Sequence, residues 1–193
     1  ELPGSVRIHR ISGVDRYQTA EAVAHDVLSR ELDTAVIITS AVAEADQATA
    51  ASLAHGVGGP VVYLPPDATT APEWLVDIIR MFEIQKVHVV GGPLAANDDL
   101  IADLDKNAAA IEYAGVNRFE TAAKAAIEWG AITHVALANG ADPIDGIAAA
   151  PRMGQAGVPV LLTPANCLDP HAAAVIDQHP LTNLTLLGGR SAL

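Results

Sequence analysis

Gly13-Val14-Asp15-Arg16-Tyr17-Gln18-Thr19-Ala20 returns as Gly115-Val116-Asn117-Arg118-Phe119-Glu120-Thr121-Ala122, 102 positions further on (115 minus 13). Gly, Val, Arg, Thr and Ala are unchanged between the two, and each differing pair is chemically close. An internal repeat decides the architecture before any local assignment, so the chain reads as two copies of one unit.

Each copy of the stretch starts a helix. Asp15 and Asn117 are good N-caps, and Gln18 and Glu120 stand three residues later as capping-box partners. In the first copy, Tyr17, Ala20, Val23, Ala24, Val27 and Leu28 then recur at helical spacing and predict one buried stripe. Upstream, Val6 to Ile11 reads as a short extended segment. Downstream, Ala35 to Ser40, Pro60 to Leu64 and Lys86 to Val90 are β-branched, apolar strands. Helices are expected between them, roughly over Asp46 to His55, over Pro72 to Phe82 with Thr70 or Ala71 at the cap, and over Asn97 to Asp105. Gly56 to Gly59 precede a strand and read as a helix C-cap and turn.

The second copy keeps this order, with Val135 to Ala138, Pro159 to Thr163 and Leu184 to Leu187 as its strands. The shift narrows to 97 residues at the double glycines (188 minus 91), as loop-length changes would produce. Strands alternating with helices give parallel sheets with right-handed crossovers. The expected fold class is therefore α/β: two tandem repeats, 6–108 and 109–193, each a small parallel sheet of about three strands with flanking helices, packed pseudo-symmetrically. The second copy has only Arg190 to Leu193 after Gly188-Gly189. Its last helix is either cut away or supplied as a surface by a further unit or partner.

Composition bounds the function. Half of the 193 residues are hydrophobic and only 4% aromatic, which predicts a core of Ala, Val, Leu and Ile. Eleven basic residues against 23 acidic ones give a formal charge of -12, which argues against coating nucleic acid or an anionic membrane. No apolar run is long enough to span a bilayer. Cys167 is alone and forms no disulfide within the chain. A chain that opens on Glu1 rather than Met reads as a processed protein or an excised piece.

Motifs for catalysis are scarce. There is no Gly-x-Ser-x-Gly elbow, no His-Glu-x-x-His and no phosphate-cradling glycine loop between a strand and a helix. The seven histidines show no ligand spacing, so no metal and no cofactor is implied, and His88 and His134 read as satisfied groups of strands. Asp142-Pro143-Ile144-Asp145 reads as an N-cap, a first-turn proline and an acid favoured by the helix dipole. Asp46 recurs as the partner of Asp145, so that carboxylate has room for a second role.

Arg16 and Arg118 resist a purely structural account. Each falls in the first turn of its helix, where a cation costs about 0.3–1 kcal/mol, yet both copies keep it. Either a fixed carboxylate of the neighbouring unit compensates it, or an anionic ligand held jointly by the guanidinium and free helix N–H groups does.

Arg10 to Ala20 resembles the opening signature of the type 2 cell-wall-binding repeat of Gram-positive surface proteins and autolysins. Asn139 to Pro151, Val158 to Thr163 and Leu187 to Gly189 are similar to its later blocks, in the right order. The resemblance implies a secreted, cell-surface, non-catalytic anchor of the kind found in S-layer proteins or autolysins. It would bind an anionic secondary wall polymer or another peptidoglycan-associated glycan, with no nucleic-acid partner. It also implies modules of three repeats in pseudo-threefold packing, which two copies reach through a third repeat or a homo-oligomer. The ligand-binding residues that follow from the resemblance are Arg10, Arg16, Tyr17, Arg118, Phe119 and Asp145. Arg10 aligns with Glu112, and Ala41 to Asp46 departs from the family pattern, so the two copies are expected to bind unequally. The alternatives are a structural or self-association module without a polymer ligand, and an α/β enzyme using Asp145 and the strand-end glycines.

Overall fold

A computed structural model of the chain describes residues 7–30 and 35–193. Val6 lies outside the described residues, and Arg7 to Ile11 form no regular strand. The first copy contributes α1 (Arg16–Leu28), β1 (Ala35–Thr39), α2 (Glu44–Val57), β2 (Val61–Tyr63), α3 (Glu73–Met81), β3 (Lys86–Val90) and α4 (Asp98–Leu104). The second contributes β4 (Ala109–Tyr113), α5 (Arg118–Ala126), a 3-10 turn (Ile127–Trp129), β5 (His134–Asn139), α6 (Ile144–Gln155), β6 (Val160–Thr163), α7 (Pro170–Gln178) and β7 (Asn183–Leu187).

Both sheets are parallel, in the orders β2-β1-β3-β4 and β6-β5-β7. The expectation of about three strands per unit thus holds for one sheet and falls one short for the other. The fourth strand comes from across the repeat boundary. Ala109–Tyr113 opens the second copy in sequence but pairs with Lys86–Val90 of the first. Its equivalent in the first copy is Arg7 to Ile11, where Ile8 is 73% exposed. At the other end, β7 pairs on one side only among the described residues. Leu184 and Leu186 on β7 are exposed, whereas Val87 and Val89 at the same positions of β3 lie fully buried in a cluster with Leu100 and Leu104 of α4.

Alternate residues of the first sheet serve different layers. Val36, Ile38, Val87 and Val89 pack with α1, α3 and α4. Ile37, Val90 and Tyr113 pack with Ala50 and Leu53 of α2 and Ala125 of α5. In the second sheet, Ala136, Ala138, Val160 and Leu162 cluster with Ala45 and Ala150, and Val135, Leu137 and Leu161 with α5 and α7. The equivalent helices α2 and α6 meet face to face at small residues. A Cβ on Gly154 would lie 2.8 Å from that of His55 on α2, so bulk there forces the helices apart, and one on Gly146 would lie 2.9 Å from that of Ala138 on β5, so bulk there forces α6 off its own sheet. Ser52 of α2, buried in this seam, accepts a hydrogen bond at 3.0 Å from the backbone N–H of Val160, the outward-facing donor of edge strand β6.

The predicted stripe of α1 is only partly buried: Ala20, Ala24 and Leu28 are inside, while Val23 is exposed and Tyr17 and Val27 are half-buried. Its counterpart α5 buries Thr121, Ala122, Ala123, Ala125 and Ala126, because α5 lies between the two units and α1 touches one. Helix starts also differ in detail. α2 begins at Glu44, before the expected Asp46, and α3 is capped by Pro72 rather than Thr70 or Ala71. α6 begins at Ile144 with Pro143 as its N-cap, so Asp142 is not a cap. The turn before it is held instead by Asn139, whose Oδ1 accepts from Ala141 N at 2.8 Å.

Candidate functional site

The repeated stretch builds the same device twice. Asp15 Oδ1 accepts from Gln18 N at 2.8 Å, and Asn117 Oδ1 accepts from Phe119 N and Glu120 N at 3.0 Å. Gln18 and Glu120 reach back to the N–H groups of Val14 and Val116, one residue earlier than a standard capping box. Gly13 and Gly115 donate to Thr19 and Thr121 Oγ1 at 3.0 Å, and a Cβ at either glycine would collide with the helix behind it. Identity at Gly and Thr follows from this folding-back of the loop.

The arginines follow a shared rule as well. Arg16 Nη1 donates to Ala41 O at 2.9 Å and Arg118 Nη1 donates to Gly140 O at 2.5 Å. Each ties its helix start to the loop that leaves the strand following that helix, β1 for Arg16 and β5 for Arg118. The side-chain caps take the N–H groups of Gln18 in α1 and of Phe119 and Glu120 in α5, so fewer first-turn donors are left to share an anion with each guanidinium.

Arg118 opens into a cavity of about 390 Å³ at the seam between the copies. The first copy contributes Glu44 and Asp46 of α2 and Gly92 after β3; the second contributes Asn117, Arg118, Thr121 and Pro143. Asp46 packs against Gly91, whose φ of 116° and 2.7 Å clearance from Asp46 Oδ2 to a would-be Cβ leave no room for a side chain. Burial pushes the Asp46 carboxyl up to about 6, with Arg118 pulling the other way. The carboxylates of the neighbouring unit that share this cavity with Arg118 are Glu44 and Asp46, and Asp46 feels its charge. Asp46 and Arg118 share the cavity without an ion pair, since the three ion pairs among the described residues are local ones of Arg30, Lys106 and Lys124.

Of the six sequence candidates, only Arg118 lines this cavity. Arg10 borders a separate hollow with His9, His25 and Asp26. Arg16 is exposed and Tyr17 half-buried on α1. Phe119 is packed against Gly140 and the core cluster of the second sheet. Asp145 is exposed and repeats the Asp46 arrangement, its Oδ2 beside Gly188 at φ 120°. Sequence reasoning missed Glu44, Asn117 and Thr121 as cavity residues. The signal that pointed to Asp46 was its recurrence as Asp145.

A second polar cluster lies deeper in the seam. His88 of β3 and Tyr113 of β4 stack with ring centroids 5.8 Å apart, and His88 Nδ1 meets the Tyr113 hydroxyl at 2.7 Å. His88 Nε2 is buried with no partner, which corrects the expectation of a fully satisfied histidine. Burial holds its pKa below the ordinary histidine range, and burial with Glu128 beside it raises that of Tyr113 well above a normal phenol.

Two α/β repeats, the second lending a strand to the sheet of the first, with a polar cavity where they meet, define a tandem-repeat module rather than a single-domain fold. The family model for Cell wall binding domain 2 (CWB2) matches residues 10–101 and 112–193, and the chain belongs to that family. It is 26% identical over 187 residues to the N-acetylmuramoyl-L-alanine amidase LytC of Bacillus subtilis (strain 168), covering 96% of this chain and 37% of that protein. Among solved structures, Cwp6 from Clostridium difficile superposes with a TM-score of 0.82 at 21% identity, over 95% of this chain and 29% of that one. Cwp8 from Clostridium difficile gives 0.74 at 22% identity, over 95% of this chain and 31% of that one. These likenesses show the fold, and the chain spans about a third of the length of each relative. No helix among the described residues is long and apolar enough to cross a membrane.

Proposed function

We propose that the chain is a non-catalytic, non-covalent anchor that holds an exported protein at the bacterial cell wall by binding an anionic secondary wall polymer. Membership of a cell wall binding family supports the wall as the target. The single observation that carries the anionic ligand is Arg118, a guanidinium presented into the cavity at the seam of the repeats. A guanidinium there offers paired donors to a phosphate or carboxylate group. With a formal charge of -12 the chain repels a polyanion overall, so binding is local and weakened by salt. Co-sedimentation with purified Gram-positive walls, before and after removal of the secondary polymers, tests this reading. Pelleting is expected to fall after removal, and Arg118→Ala to bind poorly while melting close to the wild type. Equal pelleting after removal would sink the polymer assignment.

A second reading takes the arginines as cement and the module as a self-association unit. The bonds from Arg16 to Ala41 and from Arg118 to Gly140 favour it, because they give both residues structural work. On this reading Arg16→Ala lowers the melting temperature together with any binding, and the chain self-associates through the β7 edge, a copy-number change that sedimentation velocity would read.

A further inference from the structure

We propose that Asp46 gates the seam cavity: an anionic group settles on Arg118 only when the Asp46 carboxyl is neutral. The inference rests on the reading that Arg118 receives the wall polymer, and it adds the regulation of that contact. Asp46 is fixed in place, because α2 presses it against the glycine turn after β3. Its own helix brings a second carboxylate, Glu44, and α5 brings Arg118. The remaining walls carry no titratable group: the β3–α4 turn supplies Gly91 and Gly92, the loop before α5 Gly115 and Asn117, and the β5–α6 loop Ala141 and Pro143.

With both acids ionised, two carboxylates surround one guanidinium, and an incoming phosphate or carboxylate meets net repulsion. With Asp46 neutral, Glu44 and Arg118 balance and the guanidinium's attraction is opposed by one carboxylate fewer. Partial burial disfavours the charged carboxylate and raises its titration to about 6, against the pull of Arg118. If the competent form is the neutral one, only about 3% of molecules are competent at ~pH 7.5, which weakens apparent affinity roughly 30-fold relative to acid conditions.

The full chain is titrated with inorganic polyphosphate, polygalacturonate and neutral dextran, and pelleted with purified walls, at both pH extremes. Wild-type binding is expected to tighten by up to ~30-fold between ~pH 7.5 and ~pH 5. Asp46→Asn is expected to bind at the higher pH as the wild type does at the lower one, with a flattened profile. The ratio of the two proteins on the same probe carries the test. Preference for polyphosphate or for polygalacturonate, with dextran inert, assigns the anion and supports the gate when the Asn variant is flat. Equal wild-type affinity at both pH values, or an Asn variant whose pH profile matches the wild type, overturns the gate while leaving wall binding intact. Failure of the wild type to bind walls or any anion at either pH overturns the wall-polymer reading, and the gate with it. Should Asp46→Asn not fold, Asp46→Ala makes the same comparison.

Discussion

Ser52→Ala isolates one bond that joins the two repeats. Ser52 is 2% exposed on α2, and its hydroxyl is the acceptor for Val160 N of β6 across the seam at 3.0 Å. Val160 is itself 2% exposed and its N–H points away from the ladder with β5, so water does not replace the lost hydroxyl. Leaving a buried backbone donor unmatched costs about 1–3 kcal/mol. For a chain of this size, 1 kcal/mol moves the melting temperature by roughly 2–4 °C, so a loss near 2 kcal/mol lowers it by ~4–8 °C. Thermal and urea unfolding followed by circular dichroism read the loss. Amide hydrogen exchange read at single residues should show Val160 losing more protection than Leu161, which belongs to the same strand. A melting temperature within about 1 °C of the wild type, with Val160 still protected, would refute the claim that this bond helps to hold the repeats together.

Two further changes probe the glycine turn and the buried histidine. Gly91→Ala is expected to cost about 1–3 kcal/mol, because φ is 116° and the new Cβ meets Asp46, whereas Gly92→Ala, with open space around it, should stay within ~0.5 kcal/mol of the wild type; paired melts check this. His88 is held neutral in the fold with a pKa below the reference value of 6.5, so the unfolded chain takes up its proton first and stability falls as pH drops through 6.5. His88→Phe should therefore narrow the difference in melting temperature between neutral and mildly acidic buffer, and an unchanged difference would clear His88 of that role.

The opening repeat made much of the fold legible. Asp15 and Asn117 are the caps their chemistry suggested, and the apolar runs lie in two parallel sheets as their β-branched composition required. A shift of 102 residues says that Ala109 to Tyr113 matches Arg7 to Ile11, but pattern alone does not say which sheet edge a leading strand joins. That choice depends on tertiary packing, with Tyr113 stacking on His88 and burying itself beside Ala50 and Leu53. Position in the first turn singled out both arginines, yet their carbonyl partners lie 22 and 25 residues away, beyond any local rule. Asp46 was visible only as an echo of Asp145, because its effect on Arg118 arises where two units touch. Phe119, which the resemblance places among the ligand-binding residues, is half-buried with its ring against Gly140 and the core of the second sheet. Nothing in the fold explains why Val14 and Val116 are kept in both copies at 88% exposure.

The strand that crosses from one repeat to the other changes what a module boundary means in this chain. Residues 109–113 are written with the second copy and hydrogen-bonded into the first. An exchange of repeats between proteins that cut the gene just before Ala109 would strip the recipient's sheet of its last strand and give the donor a leading segment without a host. A cut after Tyr113 would keep both sheets whole. The unit that recombination can move intact is therefore offset from the unit that the sequence repeats, by the length of one β-strand.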